Sequence, residues 1–330
     1  MLVGVLTRGT RLTGVLSSGG RSGPDSYVPI DVDDIVVDDL IFSKSITDSW
    51  ETISQISASG NAQQYYAVGD CKAIHIAGTV GTLEVDTTLY AVIIGFDHNA
   101  ELEGYGITFG LFKSDELGVG VALCDANYNS NNTSGLQWFN MNHRQGSNSY
   151  GHNFGGWKGC DMRYDILGST DVPPSGYGAT ATTANVGYDA TSTCATSPVA
   201  NTLMSCLPYD LRSVMKPMTK YTDNAGNASN VEANVTASVD YLPLLSEYEV
   251  HGARSYANQY EENYQAQYAY FASGNSKRKY RHTATSSSAL WWVRSPGYYS
   301  SYSFCGVSGN GTAGSTSSRY SCGIAPIFLV

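Results

Sequence analysis

The chain has 330 residues, of which 42% are apolar and only 15% charged, with 24 tyrosines and 35 glycines. A formal net charge of −10 argues against a nucleic-acid partner, which calls for a basic face. No run approaches the ~18 to 20 apolar residues of a membrane span, so no membrane insertion is predicted. The low charge and high aromatic content exclude intrinsic disorder. An excess of Tyr, Ser, Gly and Asn is instead the composition of binding surfaces.

Residues 1–21 hold a repeat with an offset of ten, Leu2-Val3-Gly4-Val5-Leu6 followed by Leu12-Thr13-Gly14-Val15-Leu16. Each unit reads as a short β-run ended by a glycine turn, too small to bury its own apolar face. The repeat therefore predicts an attachment or oligomerisation segment, with a homotrimer as the expected assembly. Met1 to Leu6 is too short an apolar run for a signal peptide, which predicts synthesis in a cytoplasm. Residues 22–45 read as a linker and an acidic strand. Asp31, Asp33, Asp34, Asp38 and Asp39 crowd this stretch, but their spacing lacks the central Gly and terminal Glu of an EF-hand loop. No cofactor is predicted, and a structural calcium ion has no motif behind it.

From residue 46 to 330 the pattern is α+β. Thr47-Asp48-Ser49 caps a predicted helix carrying Trp50, Ile53 and Ile56. Lys72–Ile76, Leu89–Phe96 and Ile107–Leu111 read as strands. The segment 125–156 is loop-rich and crowded with asparagine. A helix is expected to end at Gly168, an exposed insertion to fill 171–201, and a helix to open at Pro208 and run to Met215. Val235–Leu245 reads as a strand, and Ile324–Val330 as a buried closing strand.

The residue types argue weakly for catalysis, and no enzymatic activity is predicted. The six histidines form no H-x-x-x-H or H-E-x-x-H pair, and no G-x-S-x-G elbow is present. Glu247 and Glu249 lie two apart and would share a face on a strand; they read as structural. The seven cysteines form no C-x-x-C pair and read mostly as buried thiols, with Cys305 and Cys322 the pair to test for a disulfide.

Tyr66-Ala67-Val68-Gly69-Asp70, Gly155-Gly156-Trp157-Lys158-Gly159-Cys160-Asp161, Leu207-Pro208-Tyr209-Asp210-Leu211 and Leu290-Trp291-Trp292-Val293-Arg294-Ser295-Pro296 follow one another along the chain. In this order they resemble a family of gut bacteria and their phages known as a domain of unknown function, the DUF6273 type. Such proteins look like distant relatives of the C-type-lectin and formylglycine-generating-enzyme fold, so the resemblance implies an α+β platform whose last strands display a ligand-binding surface. The N-terminal repeat resembles the opening of phage tail-fibre or tail-tip proteins. Together the resemblances imply a receptor-binding protein located in the virion tail. Its expected partners are a host cell-surface protein or glycan and, through the N-terminus, other tail proteins. A bacterial surface or secreted adhesin of the same fold, and a structural tail protein, are the alternatives.

The segment 298–324 holds eight Ser, five Gly and four Tyr, with Arg319 its only charge. It lies between two framework-like anchors, Trp291, Trp292, Arg294 and Gly297 before it and the apolar end after it, as binding loops do. C-type-lectin relatives are targets of diversity-generating retroelements, whose adenine mutagenesis of Asn codons never yields Lys, Glu, Gln, Met or Trp. None of these five occurs in 298–324, against 37 in the other 303 residues. The expected binding surface spans 298–322 and comprises Tyr298, Tyr299, Tyr302, Phe304, Asn310, Thr312, Ser315, Thr316, Ser318, Arg319 and Tyr320.

Overall fold

The computed structural model describes residues 45–132, 136–142, 152–169 and 196–330. The predicted repeat at 1–21, the aspartates of 31–39 and most of the 171–201 insertion lie outside the described residues. Within them the chain is mixed α+β, built mainly from antiparallel sheets with short helices.

The first helix, Trp50–Ala58, starts as its sequence dictates: the Ser49 hydroxyl accepts the Thr52 N–H at 3.1 Å. It buries Trp50 and Ile53 against a four-stranded antiparallel sheet in the order β1 (Cys71–Val80), β2 (Leu83–Phe96), β3 (Ile107–Lys113) and β12 (Ile327–Leu329). The ring of Trp50 meets Phe109 and Phe328 edge-on at 5.3 and 5.9 Å. The chain thus closes by inserting its last strand beside a central one, as the apolar run 324–330 predicts.

Three smaller sheets follow. β5 (Met218–Asp223) pairs with β6 (Val235–Asp240). β4 (Val121–Ala122), β7 (Lys279–Arg281) and β8 (Ala284–Ala289) form a mixed sheet. β9 (Trp291–Pro296), β10 (Ser303–Val307) and β11 (Ala313–Ser317) form the third, with β10 central and β11 at the edge.

Four expectations are corrected. The strand expected over 235–245 stops at Asp240, before Pro243, whose ring has no N–H to donate to a ladder. The helix after Pro208 is a single turn, Tyr209–Arg212. Glu247 and Glu249 lie on a helix, Glu247–His251, capped by Ser246 and ended by Gly252 at φ 67°. Cys305 and Cys322, the pair marked for a disulfide test, are free buried thiols, in keeping with the reading of the cysteines as buried thiols. Burial raises both far above the usual thiol range. Before Gly168, one π-turn, Met162–Ile166, stands where a helix end was expected.

Candidate functional site

The frame of the site is a buried charge cluster centred on Glu249. Arg294, on β9, satisfies all five of its donors. Nε donates to Thr222 Oγ1 at 2.6 Å, Nη1 to Leu244 O and Glu249 Oε2 at 2.9 and 2.5 Å, and Nη2 to Tyr221 O and Glu249 Oε1 at 3.4 and 3.0 Å. Lys220, on β5, donates to Glu249 Oε1 at 2.9 Å, to Tyr268 Oη at 2.9 Å and to Glu103 Oε2. Two cations and two carboxylates therefore balance inside the protein. Burial alone would push the Glu249 carboxyl up, but Arg294 and Lys220 hold it below the usual carboxylate range. Burial works against the Lys220 charge too, yet Glu103 and Glu249 keep it above the ordinary lysine value.

His98 completes the cluster by stacking on Tyr268 at 3.6 Å, and burial with the nearby Lys220 lowers it to about 4. Donor atoms of His98, Glu103 and Glu249 lie within 4.8 Å of one another, close enough for a metal ion. The Lys220 ammonium, bonded to both carboxylates, takes the place such an ion would need.

Glu247, two residues before Glu249, shapes the next segment. Its carboxylate accepts the backbone N–H groups of Ser255, Tyr256 and Ala257 at 3.0, 2.9 and 2.8 Å. That segment pairs with the end of β9, where the Tyr298 N–H donates to Tyr256 O at 2.9 Å. On the other side Asn153 braces the turn between β9 and β10. Its N–H donates to Ser301 O at 2.9 Å, and its amide is shared among Gly297, Ser300 and Ser303 carbonyls at 3.1, 2.7 and 2.9 Å.

Trp291, Trp292 and Arg294 are all fully buried. Each indole N–H is satisfied by a carbonyl, Trp291 by Lys277 O at 3.1 Å and Trp292 by Phe139 O at 2.9 Å. Gly306 on β10 crosses the Trp291 backbone so closely that a Cβ would lie 2.9 Å from its carbonyl oxygen.

On this frame stands the hairpin β10–β11. Its tip is locked from within: the Ser308 N–H donates to Thr312 O at 2.8 Å, and the Thr312 hydroxyl to Asn310 Oδ1 at 2.8 Å. Tyr299 and Tyr302 are exposed, at 52% and 43%. The Tyr299 hydroxyl bonds the Ser315 hydroxyl, bringing the aromatic half of the segment against its hydroxyl-rich half. Tyr298 meets Tyr299 edge-on at 5.7 Å. Thr316 is half-buried on the edge strand, and Tyr320 half-buried beside the loop at Asn131.

Three residues leave the expected surface. Phe304 is fully buried on the central strand, Ser318 is buried, and Arg319 turns inward to donate from Nε to Asn132 O at 3.0 Å. A strand covered on both faces hides its side chains regardless of polarity, and β10 is buried at every position.

Two residues join that sequence reasoning passed over. The Tyr256 ring lies 5.8 Å from Tyr299, and the Arg254 guanidinium lies over Tyr298 at 5.3 Å. The signal was present in Arg254-Ser255-Tyr256-Ala257-Asn258, a second Tyr/Ser/Asn stretch. The resulting surface offers four aromatic rings, hydroxyls and one guanidinium, suited to stacking and hydrogen bonding.

A family model described as a domain of unknown function (DUF6273) matches residues 131–330. No curated protein and no solved structure matches the chain. Among the described residues no helix is long and apolar enough to cross a membrane.

Proposed function

The chain belongs to the DUF6273 family, and from its last hairpin we propose that it is a receptor-binding protein of a phage tail fibre or tail tip. The observation that carries this reading is a contrast in construction. A cross-braced frame, in which Trp291, Trp292 and Arg294 are fully buried and hydrogen-bonded, holds up a segment with no exposed charge and with exposed tyrosines over serine hydroxyls. Building a rigid frame beneath permissive side chains lowers the ordering cost of binding.

In this reading Tyr298, Tyr299, Tyr302, Ser315 and Thr316, with Tyr256 from outside the segment, touch the receptor. The platform is C-type-lectin-like, and the segment is diversified by a retroelement. Residues 1–21 join three copies to the tail. The absence of Lys, Glu, Gln, Met and Trp from 298–324 supports diversification.

The test is adsorption of the purified protein to host cells. A variant with Tyr299→Ala, Tyr302→Ala and Ser315→Ala should keep its fold, since Tyr299 and Tyr302 are exposed, Ser315 is half-buried on an edge strand with its hydroxyl on Tyr299, and surface changes each fall within about 0.5 kcal/mol, and should lose adsorption. Full adsorption by the folded variant would put the receptor site elsewhere.

A further inference from the structure

The overall charge of −10 hides a segregation along the chain. Residues 251–330 hold seven Lys or Arg and two Asp or Glu, whereas residues 1–250 hold twelve and twenty-seven. The last quarter of an acidic chain is basic. Three of its cations are internal: Arg294 pairs with Glu249, Arg319 turns inward, and Lys279 is buried against Trp291. The other four, Arg254, Lys277, Arg278 and Arg281, are half-buried or exposed. Each lies over an aromatic ring, Tyr298, Phe271, Tyr280 and Tyr128 respectively, at 5.0 to 5.9 Å. Among the described residues none of the four forms an ion pair.

Three of these cations border the hairpin. Arg254 sits at its base, on Tyr298. Lys277 and Arg278 sit at its tip, where a Cβ on Gly311 would lie 3.3 Å from the Arg278 nitrogen and 3.7 Å from the Lys277 carbonyl carbon. Burial and then Lys277 lower His251, the last residue of the helix Glu247–His251, to about 4, and Arg254 follows three positions on. Between the ends runs the uncharged edge strand Ala313–Ser317. At about 3.3 Å per residue that strand is roughly 15 Å long.

We propose that this strip binds a linear anionic polysaccharide. Its phosphates or carboxylates meet Arg254 at one end and Lys277 and Arg278 at the other, and its sugar rings and hydroxyls meet Tyr299 and Ser315 between them. The inference rests on the receptor-binding reading and gives it a ligand class. A single small anion would engage only one end. A nucleic acid strand carries a phosphate about every 3.4 Å of helix rise, and those in the middle would face a strand with no cation. A glycan with acidic groups set apart by neutral sugars matches the pattern of charge, hydroxyl, charge.

The experiment measures binding of the full chain to four probes: polyglycerol phosphate, polygalacturonate, dextran and oligothymidylate. At least one of the two acidic polymers should bind, weakening roughly tenfold between about 50 and 200 mM salt. Which one binds tells phosphate from carboxylate. R254Q, K277Q and R278Q combined should weaken it by about tenfold or more at an unchanged melting temperature. If that variant melts early, the salt dependence of the unmodified chain carries the test. Absence of binding to both acidic polymers, salt-independent binding, equal binding by the folded variant, or equal binding of oligothymidylate would each overturn the ligand class. Host-cell adsorption separates the two readings. If the Tyr299, Tyr302 and Ser315 variant loses adsorption while no acidic polymer binds, the surface stands and only the ligand class fails. If that variant still adsorbs, the receptor site lies elsewhere and the hairpin reading fails together with the ligand class.

Discussion

The side-chain amide of Asn153 donates to the carbonyl of Ser300 at 2.7 Å, joining residues 147 positions apart in the chain. The same amide reaches Gly297 and Ser303, and its oxygen accepts the Asn227 N–H at 2.9 Å. An asparagine in a loop-rich segment thus shapes the turn that carries Tyr298, Tyr299 and Tyr302 without itself facing solvent.

Asn153→Ala should leave several buried carbonyls short of a donor, at a cost of about 1 to 3 kcal/mol. Faster amide exchange should concentrate in 297–303, and adsorption to cells should weaken although no contact residue has changed. Asn153→Asp should be worse, because a carboxylate would face the same carbonyls.

Arg294→Met removes one partner of a buried pair and strands the Glu249 charge against Lys220 alone. A loss of about 3 to 5 kcal/mol in denaturant unfolding is expected. Trp291→Ala should cost a similar ~3 to 5 kcal/mol by leaving a cavity. Melting temperatures check both.

Glu261 gives stability a pH dependence. Burial raises its carboxyl to about 7, although it accepts the Asp223 N–H and the Ser295 hydroxyl at 2.9 and 2.6 Å. The folded state holds this proton more tightly than the unfolded chain. Its contribution is therefore full below the ordinary value of 4.5 and is lost as pH rises through 7. The change is on the order of 3 kcal/mol. Glu261→Gln should flatten the stability profile between those values.

Lys279 works with the opposite sign. Burial lowers it to about 7, its ammonium lies 5.5 Å from the Trp291 ring, and among the described residues no carboxylate pairs with it. The unfolded chain takes up this proton as pH falls below 10.5, whereas the folded state resists it down to about 7. Lys279→Met should therefore stabilise the protein, by on the order of 3 kcal/mol at pH 7 and below, after allowing for the lost ring contact. The gain should vanish above pH 10.5 in parallel unfolding curves.

What was legible in the sequence was local. The Ser49 cap, the alternation in β1, the apolar runs of β2 and β12 and the bulky Trp291-Trp292 pair each announce their environment within a few residues. What was not legible depends on distant partners. Nothing beside Asn153 tells that it braces 297–303, and nothing beside Lys220 tells that Glu103 and Glu249 await it. Phe304 and Arg319 misled for a related reason: a Tyr/Ser/Gly neighbourhood looks like surface, but the central position of β10 and the carbonyl of Asn132 draw both inward. Arg254 and Tyr256 escaped notice because the Glu247 carboxylate, nine residues before Tyr256, delivers them to the hairpin.

The most direct measurement replaces Tyr298–Tyr302 and Asn310–Ser317 with a different Tyr/Ser/Gly-rich sequence, leaving Trp291, Trp292, Arg294 and Asn153 in place. Melting temperature and adsorption to host cells are then read on the same preparation. A receptor-binding hairpin on a rigid frame predicts a melting temperature within a few degrees of the original and adsorption lost or redirected to other cells. Adsorption unchanged in strength and host range on a folded graft would contradict it.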